Sequence, residues 1–122
     1  MIIIAGPCVL EETWQAFDIA QELKKISGRL GVEIVFKASF DKANRSSVSS
    51  YRGVGIKKGI EDLSLIQSSL NMRVTTDIHE PWHAEPVAEV CDIIQIPAFL
   101  CRQTDLLEAA AKTEKIVNVK KG

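Results

Sequence analysis

Short apolar runs alternate along the chain with longer segments of helical periodicity. The short runs are rich in β-branched side chains and predict five strands, at residues 2–5, 32–37, 72–78, 92–98 and 115–122. Between them, apolar residues recur at roughly helical spacing and predict four helices, which start near residues 13, 56, 82 and 104. Thr13 and Thr104 can cap the first and fourth helices, and Ser27-Gly28 is expected to end the first.

The first run, Ile2–Ala5, is wholly apolar and is followed by Gly6 and Pro7. It predicts a strand that is buried on both faces and ends at Ala5. Strict alternation of strands and helices indicates a parallel sheet, either an open doubly wound sheet or part of a barrel. A complete (β/α)8 barrel takes ~250 residues. We therefore predict an α/β fold in which residues 1–122 form a single incomplete TIM-barrel domain, about five β/α units from the N-terminal part of the barrel.

Composition narrows the classes of function. The 122 residues are 46% hydrophobic and 25% charged, and the net charge is −1. A nearly neutral chain gives no electrostatic case for binding nucleic acid or an anionic membrane, and no apolar run reaches the ~20 residues of a membrane helix. The three cysteines form no CxxC pair, which argues against a disulfide framework and for a reducing cytoplasm.

Polar or reactive side chains accompany the end of every predicted strand: Cys8, Lys37, Asp77, Gln95 and Lys120. The C-terminal ends of parallel strands meet at one rim, which is where active sites lie in α/β folds. A single lysine after a strand is most simply a solvated side chain. Five strands that all deliver such groups to one rim indicate a functional site.

The segment "FKASFDKANRSS", residues 36–47, adds cations and hydroxyl groups to that rim. Lys37, Lys42, Arg45 and Lys120 predict a local cluster of positive charge in a chain without net positive charge. Such a cluster suits a small anion, for example a phosphate or a phosphorylated sugar. Neutral hydrogen-bonding groups that could orient this anion are Ser39, Asn44, Ser46 and Gln95.

Five motifs carry a resemblance to a known family: "AGPC", "FKASFDKANRSS", "TTDIHE", "IIQIPAFLCRQTDLL" and "VNVKKG". Together they resemble the 3-deoxy-D-manno-octulosonate 8-phosphate (KDO-8-phosphate) synthases, and the resemblance covers essentially the whole chain. "KANRSS" is similar to this family, whereas the related 3-deoxy-arabino-heptulosonate 7-phosphate synthases carry a "KPRT" type of sequence there.

The resemblance implies a cytoplasmic, homotetrameric (β/α)8 barrel that acts as a transferase in lipopolysaccharide biosynthesis. Its substrates are phosphoenolpyruvate, D-arabinose 5-phosphate and water. By resemblance, the expected catalytic residues are Lys37, Asn44, Asp77 and Lys120. The residues expected to bind substrate are Ser39, Lys42, Asn44, Arg45, Ser46, Gln95, Pro97, Ala98, Arg102 and Lys120. Among these, Asn44, Arg45 and Ser46 match the arabinose 5-phosphate side, and Arg102 matches a residue that reaches toward a neighbouring subunit.

Cys8 determines which subclass is implied. Members of the family that need a divalent metal carry cysteine at this position, and the others carry asparagine. A thiolate is a good ligand for Zn²⁺ or Fe²⁺, so a divalent metal (Zn, Fe or Mn) is expected. The family's other ligands, a His, a Glu and an Asp, come from the second half of the barrel, so residues 1–122 alone are expected to be inactive.

Two alternatives to the synthase remain open: a non-catalytic half barrel that binds a phosphorylated ligand, and a heptulosonate 7-phosphate synthase. The segment "HEPWH" at residues 79–83 also fits the HExxH signature of zinc proteases. That signature requires an unbroken helix, which Pro81 disfavours. His79 and Glu80 are instead expected at the rim, with Pro81 opening the short third helix. Cys91 is expected to be a buried apolar residue.

Overall fold

All five predicted strands and four predicted helices are present in the computed structural model, which describes all 122 residues. The strands are β1 (Ile2–Val9), β2 (Glu33–Ser39), β3 (Val74–Asp77), β4 (Ile93–Ile96) and β5 (Ile116–Val119). The α-helices are α1 (Thr13–Leu30), α2 (Ile56–Leu70), α3 (Ala84–Ala88) and α4 (Thr104–Lys112). Short 3-10 turns occupy Pro81–His83, just before α3, and Ala98–Leu100, just after β4.

The strands form one parallel sheet in the order β1-β2-β3-β4-β5. A doubly wound sheet reverses its strand order at a switch point, whereas here each strand lies beside the next one in the chain. This sequential order is that of the N-terminal part of a (β/α)8 barrel, and it confirms the predicted fold class. None of the helices has the length and apolar character that crossing a bilayer requires.

The helices cover one face of the sheet, and alternate strand residues point toward them. Ile34, Phe36 and Ala38 of β2 belong to a core of 19 buried residues that also contains Leu63 and Ile66 of α2. Because side chains alternate along a strand, the residues between them lie on the opposite face, which we call the inner face. The polar residues Lys37, Ser39, Asp77, Gln95 and Asn118 therefore share one surface, whereas Thr76 lies on the helical side with Val74.

Strand β1 is not buried on both faces, so that prediction is wrong. Ile3 and Ala5 pack against the core, but Ile2 is 55% exposed and Ile4 is 40% exposed. The reason is its position at the edge of the sheet, where only β2 lies beside it and no helix covers the inner face. Ile116 on the opposite edge strand is exposed for the same reason.

Strand β1 also continues beyond Ala5, contrary to the prediction. Ala5 pairs with Phe36 and Cys8 pairs with Ala38, so Gly6 and Pro7 form a bulge opposite one residue of β2. A Cβ at Gly6 would lie 1.8 Å from the backbone oxygen of Lys37, so only glycine fits there. Cys8 has a φ of 72° and is exposed, although its partner Ala38 is fully buried. The bulge therefore directs the Cys8 side chain away from the core.

The ends of the helices differ from the predictions in detail. Helix α1 runs past Gly28 and ends before Gly31, which has a left-handed φ of 63°. Neither Thr13 nor Thr104 is an N-cap, because the residue before each one occupies that position without a side-chain hydrogen bond. The Thr13 hydroxyl instead donates to Asp62 Oδ1 at 2.9 Å and ties α1 to α2.

Candidate active site

Four polar side chains form a connected network on the inner face and at its rim. Lys37 Nζ donates to Ser39 Oγ at 2.8 Å, and Ser39 Oγ donates to Asp77 Oδ1. The Lys37 ammonium lies 3.7 Å from that same carboxylate oxygen. His79 Nε2 lies 3.2 Å from the other oxygen, Asp77 Oδ2. The network thus links the ends of β2 and β3.

The strand register explains why these residues meet. Lys37 pairs with Thr75, so Ser39 and Asp77 come together two residues further along the same strands. Asp77 pairs with Gln95, and Gln95 pairs with Asn118, so the row of polar residues extends across β4 to β5. Asn118 Nδ2 donates to Gln95 Oε1 at 3.3 Å. A polar layer therefore lies at the carboxyl ends of β2 to β5.

The electrostatics of the network keep Asp77 ionised. Burial raises the pKa of this carboxyl, but the hydrogen bond from His79, the charge of Lys37 and the hydrogen bond from Ser39 together lower it to about 2. Burial lowers the pKa of Lys37, Asp77 opposes that shift, and the nearby positive charge of Lys42 adds to it. A fixed negative charge therefore sits beside the Lys37 ammonium, whose pKa the positive charge of Lys42 also lowers.

The cluster of cations is only partly assembled. Lys37 and Lys42 are neighbours, as the effect of Lys42 on the Lys37 pKa indicates. The Arg45 guanidinium instead donates to the backbone oxygens of Lys42 (3.3 Å) and Val48 (3.2 Å), and its buried Nε has no partner. Lys120 follows β5 directly and is exposed. The structure therefore brings two of the four predicted cations together.

A cavity of about 240 Å³ lies beside the network. Asn44 and Pro97, two of the expected substrate-binding residues, line it together with His79 and the apolar side chains of Phe99 and Leu100. A larger depression of about 710 Å³ lies between α3 and α4 on the helical side of the sheet, away from these polar groups. We place the candidate site at the network and the smaller cavity beside it, because His79 both contacts Asp77 and lines that cavity.

Several expected site residues make no side-chain hydrogen bond or ion pair with this network. Ser46 and Arg102 are exposed on the loops after β2 and β4, and Ala98 begins the 3-10 turn after β4. Their proximity to the strand ends follows from the topology, because both loops leave the carboxyl ends of neighbouring strands. Their roles remain predictions.

Cys8 does not belong to a metal centre formed by residues 1–122 alone. Its thiol is exposed at the rim, and its carbonyl accepts a 3.3 Å hydrogen bond from Lys37. No group of three or more His, Cys, Asp or Glu side chains could hold a metal ion. The thiol supplies a single donor, so the residues present fit at most one ligand position of such a site.

The two histidines of "HEPWH" make contacts within the protein. His79 contacts Asp77, and His83 is buried with its Nδ1 accepting the backbone N–H groups of His79 and Glu80 at 3.2 and 3.3 Å. Pro81 opens the 3-10 turn that leads into α3, as predicted. Cys91 is fully buried, and burial raises the pKa of its thiol to about 12, so it behaves as an apolar residue.

Two polar residues of the inner face and its rim were not among the predicted site residues. His79 lies two positions after Asp77, immediately beyond β3, and its Nδ1 is buried without a hydrogen-bond partner. Asn118 lies between two valines in β5. The sequence signal for Asn118 is the alternation of β5, because a polar residue between apolar ones in a barrel strand points to the inner face.

The low pKa of Asp77 predicts a dependence of stability on pH. A carboxyl group whose folded-state pKa lies below its unfolded value stabilises the fold above the unfolded pKa, and this contribution is lost as the pH falls through the folded pKa. For a shift from 3.8 to about 2 the contribution is about 2 kcal/mol. In the wild-type protein it should vanish between about pH 4 and pH 2.

Urea denaturation of wild type and Asp77→Asn checks this expectation. The difference in the free energy of unfolding should shrink by about 2 kcal/mol as the pH falls from about 5 to 2. The substitution Asp105→Asn, at an exposed aspartate in the first turn of α4, is the matched control. A difference between wild type and Asp77→Asn that stays constant over this range would contradict the assigned pKa.

Comparison with known proteins identifies the family. The family model described as "DAHP synthetase I family" matches residues 1–122, which is the entire chain. The chain belongs to this family. As a member of the DAHP synthetase I family, it carries its polar network at the carboxyl ends of the strands, where enzymes with this fold bind substrate.

Curated relatives are similar over almost all of the chain. A protein named 2-dehydro-3-deoxyphosphooctonate aldolase from Fusobacterium nucleatum is 57% identical over 121 residues, which cover 99% of this chain and 44% of the relative. Proteins of the same name from Desulfotalea psychrophila (57% identity, 44% of the relative) and Helicobacter hepaticus (54%, 45% of the relative) match all of this chain. The predicted resemblance to KDO-8-phosphate synthases is thereby confirmed, and the chain spans slightly less than half the length of these relatives.

Proposed function

We propose that the complete enzyme is a KDO-8-phosphate synthase, where "complete enzyme" means a polypeptide of the relatives' length that contains residues 1–122. It condenses phosphoenolpyruvate with D-arabinose 5-phosphate and water to give KDO-8-phosphate and inorganic phosphate, a transferase reaction of lipopolysaccharide biosynthesis. The observation that carries this proposal is the 54–57% identity, over 99–100% of the chain, to proteins named 2-dehydro-3-deoxyphosphooctonate aldolase. A heptulosonate 7-phosphate synthase is not favoured, because the named relatives refer to the eight-carbon sugar.

The chemistry of these substrates matches the groups of the site. The two substrates carry two phosphates and one carboxylate, and Lys37 and Lys42 supply positive charge for one of these anions. In the reaction the enol carbon of phosphoenolpyruvate bonds to the aldehyde carbon of the pentose, water adds, and phosphate leaves. This needs positioning and charge balance and does not require a protein nucleophile. Asp77 supplies a fixed negative charge that orients the Lys37 ammonium through Ser39.

The residues divide between the two substrates. Lys37, Ser39, Lys42, Gln95, Pro97, Ala98 and Lys120 line the phosphoenolpyruvate side. The arabinose 5-phosphate side consists of Asn44, Arg45 and Ser46, on the loop from which Asn44 lines the cavity together with Pro97. The Arg45 guanidinium uses two of its five N–H donors on the carbonyls of Lys42 and Val48 in this structure, which leaves other donors for the phosphate. Arg102 extends toward the site of a neighbouring subunit in a cytoplasmic homotetramer.

Cys8 contributes one thiolate to a divalent metal site whose other ligands lie outside residues 1–122. Its exposed thiol and positive φ at the end of β1 support this role, because a non-glycine residue held in a left-handed conformation is characteristic of functional sites. When bound, the metal acts as a Lewis acid or template for the substrates. The metal is Zn, Fe or Mn.

A phosphate-release assay of the purified complete enzyme tests the proposed function. With phosphoenolpyruvate and arabinose 5-phosphate, in the presence of a divalent transition metal, one phosphate should be released for each eight-carbon sugar formed. A four-carbon aldose phosphate, which would give the seven-carbon product of the related synthases, should turn over at least ~100-fold less efficiently. No turnover with the pentose phosphate, or preference for the four-carbon substrate, would refute the proposal.

A further inference from the structure

The loop between β2 and α2, residues 40–55, carries Lys42, Asn44, Arg45 and Ser46 without regular secondary structure of its own. Loops of this length in compact domains are uncommon and are usually either functional segments or disordered linkers. A loop can position substrate groups only if its two ends are held in a fixed relation to the strands beneath it. The contacts at its base therefore bear on how the site is built.

An ion pair joins the two ends of this loop. Arg52 Nε donates to Asp41 Oδ1 at 2.7 Å, and a second guanidinium nitrogen donates to Asp41 Oδ2 at 3.2 Å. This is the bidentate geometry in which a planar guanidinium and a carboxylate fix each other's orientation. The Asp41 side chain is 19% exposed and the Arg52 side chain 60% exposed. Exposed pairs of this kind contribute little to global stability, so a stabilising role does not explain the geometry.

Backbone contacts surround the ion pair. The Lys42 N–H donates to the Arg52 carbonyl, and the Gly55 N–H donates to the Phe40 carbonyl at 3.0 Å. Gly53 has a φ of 134°, and a Cβ there would lie 2.2 Å from the Phe40 carbonyl oxygen. The two ends of the loop are thus packed against each other too closely for any side chain at residue 53.

Beyond this base, few contacts hold the loop against the rest of the protein. Arg45 bonds to carbonyls of the loop itself, and Ser47 bonds to Ser49. One tie reaches outside, from the Tyr51 hydroxyl to the Leu10 carbonyl at 3.2 Å. The placement of residues 44–46, of which Asn44 lines the cavity, therefore depends on the contacts at residues 40–42 and 52–55.

We propose that Asp41 and Arg52 are a pair of positioning residues, whose bidentate contact holds the segment Asn44–Ser46 in place beside the cavity that Asn44 lines. The proposal rests on the proposed function, since it assigns these three residues to the aldose phosphate. Lys42 is less dependent on the pair, because its backbone is also held by the Arg52 carbonyl. Loss of the ion pair should therefore weaken recognition of the aldose phosphate more than that of phosphoenolpyruvate.

Steady-state kinetics of Asp41→Asn and Arg52→Lys in the complete enzyme test this difference between the two substrates. Arg52→Lys keeps the charge but loses the fork geometry. Each variant should raise the KM for arabinose 5-phosphate about tenfold and leave the KM for phosphoenolpyruvate and the melting temperature close to wild type. The double variant Asp41→Arg/Arg52→Asp, which restores the pair with reversed charges, should recover most of the lost affinity. Glu108→Gln breaks an exposed ion pair on α4 with Lys112 (2.7 Å) and should change neither KM.

Hydrogen exchange provides a readout that does not depend on catalysis. The hydrogen-bonded amides of the loop, Lys42, Ser50 and Gly55, should exchange about tenfold faster in Asp41→Asn than in wild type, while those of β2 and β3 stay protected. Unchanged exchange at these amides would overturn the proposed role of the Asp41–Arg52 pair. A rise in both KM values together with a fall in melting temperature would overturn it too. If the wild-type enzyme turns over neither substrate, the proposed function fails. The exchange result alone then decides whether the Asp41–Arg52 pair holds the loop in place.

Discussion

Replacing Lys37 by alanine in the complete enzyme is expected to lower kcat/KM for phosphoenolpyruvate at least ~100-fold, or about 3 kcal/mol. Lys37 is largely shielded from solvent, donates to Ser39 at 2.8 Å and lies 3.7 Å from the Asp77 carboxylate. Its ammonium is thus held on the inner face by neighbours, with a further donor position available for a substrate anion. An interaction of this kind is strong because the site excludes part of the water that would otherwise screen it.

Lys37→Ala also leaves Asp77 as a buried carboxylate without its cation, which can destabilise the fold. The double variant Lys37→Ala/Asp77→Asn removes that uncompensated charge and should fold normally while remaining at least ~100-fold impaired. Lys120→Ala, just beyond β5, should show a similar loss if this lysine completes the same anion site. Lys57→Ala, on the exposed side of α2, is the matched control. Wild-type kinetics in both Lys37→Ala and Lys120→Ala would contradict the assignment of these lysines to phosphoenolpyruvate.

The strands and helices could be predicted from the spacing of apolar residues, but the burial of each strand also depends on its position in the sheet. The apolar, β-branched runs around Ile34 and Ile94 are buried central strands because helices cover one of their faces and neighbouring strands flank them. For the same kind of run at Ile2–Ala5, the prediction of burial on both faces was wrong. An edge position depends on the order of strands in the sheet, which the run itself does not reveal. The Gly6-Pro7 pair suggested a strand end, yet it forms a bulge because the Lys37 carbonyl approaches Gly6.

The part of the site at the strand ends could be predicted from the topology of a parallel sheet, and the contacts made by turns and loops could not. Residues at the carboxyl ends of parallel strands converge, which brought Lys37, Ser39 and Asp77 together as expected. His79 was placed at the rim but given no role, since its contact with Asp77 depends on the turn that Pro81 opens. The orientation of Arg45 could not be predicted, because its partners are backbone carbonyls of an irregular loop.

Removal of metal from the complete enzyme is expected to abolish at least ~99% of turnover, and a divalent transition ion should restore it. The thiol of Cys8 is exposed on the rim at the end of β1, close to Lys37, and it is available as a ligand because the bulge turns it away from the core. Cys8→Asn replaces a soft thiolate with a weakly coordinating amide, so the bound metal should fall at least about tenfold.

Metal content and cobalt spectroscopy measure whether Cys8 binds the metal, without relying on activity. The Co²⁺-substituted wild type should show a thiolate-to-cobalt charge-transfer band that is absent from Cys8→Asn. Cys101→Ser, at the half-buried cysteine that follows the 3-10 turn after β4, should keep both the band and the metal. Full activity of a metal-free preparation would place the enzyme in the metal-independent subclass. Undiminished metal in Cys8→Asn would mean that Cys8 is exposed at the rim for a reason other than ligation.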